Sequence, residues 1–159
     1  MWKELKVNDI EDLEKYSNNV NDTYCGTKVG WESSVNWLQN ILKWKREASC
    51  FMYEDEDFKI TLMTKYNPTV DRIVVFQFFI KFYKPITNTD KLYEVLAENC
   101  KLLLERYSKI VRVPKYSEYA IDRDVGIDNK ENTKRQTIVY NKAGIKVIDF
   151  KKYWEYELM

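Results

Sequence analysis

Apolar and polar positions repeat with two different periods along this chain, and each period predicts a different kind of element. Residues 2–7 alternate between apolar and polar side chains, as a strand does. A helix follows as far as Tyr16, capped by Asn8 or Asp9, because its apolar residues recur on one helical face. Residues 31–48 show the same helical period over a longer stretch, which predicts a second helix.

Three strands are predicted next. Residues 50–54, 58–66 and 72–83 are rich in aromatic and β-branched side chains. Short polar turns separate these segments, so the simplest arrangement is an antiparallel meander. The third segment is apolar at almost every position, which is typical of a strand in the centre of a sheet. We expect it to end at Pro85.

The middle of the chain returns to the helical period. Thr87 or Thr89 is expected to cap a helix that runs to about Tyr107. Its apolar residues predict one buried face, made of Leu92, Val95, Leu96, Cys100, Leu103 and Leu104. Residues 109–113 then predict a short strand that Pro114 ends.

The last part of the chain begins with a polar stretch, residues 115–130, which we expect to be a loop. Residues 132–141 predict a short amphipathic helix, and Gly144 follows it as a terminating residue. A final strand begins at residues 146–148 and is expected to continue through Tyr156.

The composition is that of a chain that can fold without disulfide bonds or metal ions to hold it together. Of the 159 residues, 45% are hydrophobic and 15% aromatic, which is enough to build a full core. The order of elements predicts one α+β domain spanning residues 1–159. The formal net charge of +1 gives no sign of a nucleic-acid partner.

The lengths of the apolar runs bear on where the protein is located. The longest run, residues 73–80, is far too short to cross a membrane as a helix. We expect no membrane association and a cytoplasmic location in a bacterium or a phage-infected cell, with a virion as the other option. The bias toward Lys, Asn, Ile and Tyr suggests an AT-rich genome of a bacterium or its phage.

The absence of histidine restricts the possible chemistry. The chain has no His and three widely spaced Cys residues: Cys25, Cys50 and Cys100. We expect three reduced thiols and no metal site, since no pair has the spacing of a zinc or redox motif. Acid–base chemistry must then use Asp, Glu, Tyr, Cys, Lys or water.

The segment from Asn132 to Lys146 carries the most specific pattern. Tyr140 lies in the last turn of the predicted helix, four residues before Gly144, and a strand follows directly. This segment resembles the closing signature of GNAT-type N-acetyltransferases, and the order of elements is similar to theirs over most of the chain. The family's asparagine falls seven residues before the tyrosine, where this chain has Thr133 beside Asn132.

The resemblance implies a mixed, mostly antiparallel central sheet flanked by helices. In that fold the sheet is split like a V between its fourth and fifth strands, here residues 72–83 and 110–113, and acetyl-CoA lies in the split. Tyr140 would be the general acid that protonates the leaving thiolate. The backbone of residues 75–79 would hold the pantetheine arm. The implied acetyl-CoA-binding residues are Phe76, Phe78, Lys84, Thr87, Asn88, Thr89 and Lys91.

The phosphate-binding segment departs from the family's pattern. The family loop carries glycines that let the backbone wrap around the pyrophosphate, whereas residues 82–90 contain none, and Asp90 adds a negative charge. Residues 84–91 therefore have two interpretations: a phosphate site, or an ordinary helix cap. Tyr140 likewise is either the acid or an aromatic residue packed at the base of its helix.

Two hypotheses follow. The first is a GNAT-like acetyltransferase that moves an acetyl group from acetyl-CoA to an amine. The second is a non-catalytic binding or structural protein with the same fold, phage-encoded, acting in a virion or on a host protein. Basic and aromatic residues also mix near the C-terminus, and there we favour an exposed strand guarded by lysines over a nucleic-acid site.

Overall fold

The computed structural model describes residues 1–6, 11–12, 14–16, 48–85, 89–115 and 129–159. The predicted helix over residues 31–48 falls outside this description except at its last residue, and the predicted loop does so over residues 116–128. The chain divides into two compact units. The first is Met1–Lys65 with Phe76–Lys84, and the second is Tyr66–Val75 with Pro85–Met159. The assignment of residues 1–159 to one domain stays a prediction.

The first unit contains the meander predicted from the sequence. Its strands are β1 (Lys3–Leu5), β2 (Ser49–Glu54), most of β3 (Phe58–Asn67) and the later part of β4 (Arg72–Phe82). They follow one another in that order, and the β1–β2 and β2–β3 pairs are antiparallel. The turn before β3 is closed by the carboxylate of Asp55, which accepts the N–H groups of Asp57 and Phe58 at 2.7 and 3.1 Å.

The core of the first unit lies beneath these strands. Four buried side chains pack together: Leu5, Tyr16, Cys50 and Met63. Partly buried residues close around them: Ala48, Met52, Phe76 and Phe79. Residues 11, 12 and 14–16 are helical, as predicted, and the Tyr16 ring meets Phe79 edge-on, with 6.4 Å between their centroids.

The second unit contains two long helices and the other strands. Helices α1 (Asp90–Tyr107) and α2 (Asn129–Lys142) accompany β5 (Val111–Pro114), β6 (Ile145–Asp149) and β7 (Tyr153–Leu158). The strand order is β4-β5-β7-β6, beginning with the first residues of β4. Residues 73 and 74 of β4 pair with β5 in parallel, whereas the β5–β7 and β6–β7 pairs are antiparallel. The described strands thus form the mixed, mostly antiparallel α+β arrangement that was predicted.

One sequence prediction about this unit was wrong. The strand expected to run from residue 146 through Tyr156 is a hairpin of β6 and β7, with β7 inserted between β5 and β6. Phe150 N–H donates to Tyr153 O at 3.0 Å to close the turn. The exposed Lys151 and Lys152 occupy this turn, where water solvates both ammonium groups.

The buried face of helix α1 is wider than the single apolar stripe predicted from the sequence. The predicted positions are buried except Leu96, which is half-buried, and Tyr93, Ala97 and Asn99 are buried as well. The face is wide because α1 packs against α2 as well as against β5 and β7. Ser108 ends the helix in the left-handed conformation, with its N–H bonded to Leu104 O.

Helix α2 has a narrow buried stripe of four residues: Asn132, Gln136, Val139 and Tyr140. These positions recur every three or four residues, so they share one face. Gly144 follows with φ of +83°, a conformation that side chains with Cβ rarely adopt. The prediction that Gly144 terminates the helix is confirmed.

Candidate active site

Tyr140 occupies the centre of a buried polar layer in the second unit. It lies in the last turn of α2, is only 4% exposed, and has its ring centroid 4.9 Å from that of Tyr156. Burial raises the pKa of its phenol well above the ordinary 10.0, and Cys100 and Tyr93 add to the rise, while the neighbouring Tyr156 hydroxyl lowers it. The hydroxyl therefore keeps its proton at neutral pH, as a general acid must.

Hydrogen bonds in the same layer tie α2 to its neighbours. The Tyr156 hydroxyl donates to Gln136 Oε1 at 2.6 Å, and Trp154 Nε1 donates to Thr133 Oγ1 at 3.0 Å. On the other side the Tyr93 hydroxyl donates to Asn132 Oδ1. Both Asn132 and Thr133, the two residues near the family's asparagine position, therefore bond to side chains of neighbouring elements.

The spacing of polar residues along α2 is a sequence signal for part of this layer. Asn132, Gln136 and Tyr140 are spaced four residues apart, so three polar groups follow one another on the buried face of a single helix. Buried amides and phenols of this kind need partners. A spacing along one helix does not show which residues on other elements supply those partners.

The start of α1 holds two of the residues predicted to bind acetyl-CoA. Thr89 is buried and Lys91 is exposed. Thr89 is the N-cap residue of the helix, one of the two positions predicted, but its hydroxyl makes no capping bond. Thr89 Oγ1 instead accepts a bond from Arg135 Nη1 at 3.0 Å, and its backbone is already helical, with φ of −79° and ψ of −12°.

Arg135 is a candidate that the sequence analysis missed. It lies on α2, and its Nε is 3.0 Å from Glu131 Oε1, so two bonds orient its guanidinium toward the start of α1. Arg135 and Tyr140 are five positions apart on the same helix, a rise of about 7.5 Å along the axis. Helix α2 thus places a cation beside Thr89 and the Tyr140 phenol in the buried polar layer.

The remaining predicted binding residues belong to the first unit or fall outside the described chain. Phe76 and Phe78 are half-buried on β4, and Phe76 packs against the core of the first unit. Lys84 Nζ is 2.9 Å from Asp57 Oδ1 in an ion pair. Thr87 and Asn88 lie outside the described residues. The predicted opening between the fourth and fifth strands, and the roles assigned to these residues, stay predictions.

A buried carboxylate on β7 also went unrecognised. Glu155 Oε2 is 2.9 Å from Arg72 Nε and 2.9 Å from Arg112 Nε, so two cations share one of its oxygens. The Arg112 guanidinium also lies 4.0 Å from the centroid of the Tyr153 ring. Because both cations engage the carboxylate, we assign Glu155 to holding β4, β5 and β7 together rather than to accepting a substrate proton.

Neither a metal site nor a membrane span is present in the described parts of the chain. Within residues 1–6, 11–12, 14–16, 48–85, 89–115 and 129–159, no three His, Cys, Asp or Glu side chains are grouped to hold a metal ion. Among those same residues, no helix combines the length and the apolar character needed to cross a bilayer.

Comparison with solved structures identifies the fold. An aminoglycoside 6′-acetyltransferase type Ii is similar over 99% of this chain and 96% of its own, with a TM-score of 0.55 and 11% identity. A spermidine N-acetyltransferase SpeG chimera from Vibrio cholerae and hSSAT matches over the same shares, with a TM-score of 0.50 and 10% identity. Neither a protein-family model nor a curated protein sequence matches the chain. The chain has a divergent GNAT fold.

Proposed function

We propose that this protein is a GNAT-like N-acetyltransferase that moves an acetyl group from acetyl-CoA to an amine. The observation that carries the proposal is Tyr140, a protonated phenol in the last turn of α2, four residues before the glycine that ends the helix. The divergent GNAT fold supports it, since this segment is the one in which the sequence also resembles that family.

In the proposed reaction acetyl-CoA supplies the acetyl group, and the products are an amide and free CoA. The amine nitrogen forms a bond to the acetyl carbonyl carbon, the carbon–sulfur bond breaks, and its electron pair stays on sulfur. Tyr140 gives its proton to that sulfur, which makes the leaving group a neutral thiol. The amine nitrogen releases its own extra proton to water, since none of the described acidic residues is assigned as a base.

The start of α1 is the proposed phosphate end of the site. The first N–H groups of a helix lack intrahelical partners and carry partial positive charge, which favours a phosphate there. Lys91 and Arg135 would add two cations, and Thr89 a hydroxyl. Arg135 would supply the attraction that the glycine-free segment lacks, against the opposing charge of Asp90 in the first turn.

Two measurements test the proposal. Calorimetry with acetyl-CoA should show binding, and the release of free CoA should be detected when spermidine or an aminoglycoside is offered as the amine. Tyr140→Phe should retain binding and lose most of the transfer, by about a hundredfold or more. Tyr66→Phe is the matched control, because the Tyr66 hydroxyl is bonded to the surface residue Asp71. An absence of acetyl-CoA binding at millimolar concentration would overturn the proposal.

A second candidate is a non-catalytic protein with the same fold, acting in a virion or on a host protein. Three observations favour it: the absence of glycine from residues 82–90, the ion pair of Lys84 with Asp57, and the burial of Tyr140. This candidate predicts that Tyr140→Phe changes stability alone. It is excluded if the chain acetylates an amine at a rate that Tyr140→Phe abolishes.

A further inference from the structure

Gln136 and Tyr156 are buried residues next to Tyr140, the proposed acid. Gln136 and Tyr140 are one turn apart on the buried face of α2, and Tyr156 projects from β7 toward both. The Tyr156 hydroxyl donates to Gln136 Oε1 at 2.6 Å, while its ring centroid lies 4.9 Å from that of Tyr140. All three side chains are buried, so their polar groups need hydrogen-bond partners within the protein.

A tyrosine hydroxyl has one proton to donate. In the resting layer the Tyr156 proton is committed to an amide oxygen, which is a neutral acceptor. If Tyr140 lost its proton, its phenolate oxygen would be a much stronger acceptor, because hydrogen bonds to ionised groups are roughly twice as strong as neutral ones. Rotation of the Tyr156 O–H from Gln136 to Tyr140 would then stabilise the new charge where bulk water is excluded.

Among the described residues, the other groups named as neighbours of Tyr140 do not favour its phenolate. Cys100 and Tyr93 face it from α1, and both disfavour its ionised form. The buried side chain of β6, which also packs on α2, is the apolar Ile145. Tyr156 is the neighbour that favours the ionised form of Tyr140.

We propose that Tyr156 and Gln136 are positioning residues for Tyr140: Gln136 holds the Tyr156 proton in the resting state, and Tyr156 turns it to Tyr140 as the phenolate forms. This inference rests on the proposed function of Tyr140. A bond that forms only after the proton has left stabilises the transition state more than the ground state, so it acts on kcat rather than on KM.

The hydrogen-bond part is tested without any substrate. A fluorinated tyrosine placed at position 140 ionises at lower pH than tyrosine, and its titration is followed by fluorine NMR. Tyr156→Phe removes the donor and should raise the phenol pKa by about one unit, whereas Gln136→Met releases the donor and should lower it by a similar amount. Trp154→Phe is the control: it removes another β7–α2 bond, at Thr133, and should leave the titration unchanged.

Shifts of opposite sign are the result expected, since a general loosening of the layer would move both titrations in one direction. Equal shifts, or no shift with Tyr156→Phe, would overturn the inference. Thermal unfolding of each variant confirms that it is folded before titration.

The catalytic part is tested on unlabelled protein with acetyl-CoA and spermidine or an aminoglycoside. Tyr156→Phe should lower kcat about tenfold with an unchanged KM. Opposite shifts in a protein that transfers no acetyl group would overturn the catalytic role and the proposed function together, while leaving the hydrogen-bond switch established. Transfer that is unaffected by Tyr156→Phe would overturn only the positioning role.

Discussion

Arg112 on β5 and Glu155 on β7 stand directly opposite each other, and Arg112 Nε lies 2.9 Å from Glu155 Oε2. Arg72 reaches the same oxygen from β4, also at 2.9 Å. Glu155 is buried whereas the two arginines are partly exposed, so the carboxylate loses more of its hydration than the guanidinium groups do. The carboxylate thereby links three strands of the second unit.

Glu155→Gln should destabilise the protein by about 2–3 kcal/mol. The substitution keeps the shape but leaves two guanidinium groups without their counter-charge in a partly buried place. The matched control is Glu157→Gln, which removes the more exposed pair with Lys146 across the neighbouring strand pair, at 3.6 Å. That change should cost less than about 0.5 kcal/mol. Urea denaturation of both variants measures the difference, and equal costs would contradict the role given to Glu155.

Asn99→Leu should stabilise the protein by about 1–2 kcal/mol. Asn99 is buried on α1, and its Nδ2 has no hydrogen-bond partner among the described residues. A buried amide NH2 group without an acceptor loses its hydration and gains no hydrogen bond in return, so an apolar side chain of similar size is preferred there. Asn132→Leu is the control of opposite sign, because Asn132 Oδ1 accepts the Tyr93 hydroxyl. A loss of stability in Asn99→Leu, measured by thermal unfolding, would indicate a partner such as a buried water.

Gly144→Ala should cost about 1–2 kcal/mol through the backbone alone. Gly144 has φ of +83°, and a Cβ added there would meet nothing within 4 Å, so no steric clash is involved. Gly144→Asn should cost less, since asparagine tolerates the left-handed conformation better than alanine. Calorimetric unfolding of the two variants ranks them, and an alanine variant as stable as the parent would contradict the strain argument.

Stability should fall steeply as the pH rises above about 9. Burial raises the pKa of the Cys50 thiol from 9.0 to about 12, with a smaller contribution from Glu4. Between those values the folded protein holds a proton that the unfolded chain has released, so stability is full below pH 9 and is lost as the pH approaches 12. One such group contributes a slope of about 1.4 kcal/mol per pH unit.

Tyr16 and Tyr140 add to this effect above their ordinary pKa of 10.0, since burial raises both. The free energy of unfolding, measured by denaturant titration from pH 7 to pH 11, should decline with increasing slope. Cys50→Ala should reduce the slope between pH 9 and 10, although the variant is less stable at neutral pH. A pH-independent free energy over this range would contradict the burial assigned to these groups.

Several elements could be predicted from the sequence because the evidence for them is local. The aromatic and β-branched segments before Pro85 became β2, β3 and β4 close to their predicted bounds. The stripe on α1 and the glycine after α2 were also recognisable, since a helical period and a positive φ are properties of a few consecutive residues. The same local pattern around Tyr140 was sufficient to suggest the fold.

What the tertiary structure alone decided is how distant residues meet. The predicted final strand became a hairpin because residues 150–152 form a turn and β7 pairs with β5 on its other side. Glu155 pairs with Arg72 and Arg112, which are 83 and 43 residues away in the sequence. Thr89 bonds to Arg135, which is 46 residues away. Periodicity records which face of an element is buried, but it carries no information about which other element covers that face. The partners of a buried polar group are therefore settled only when the segments pack.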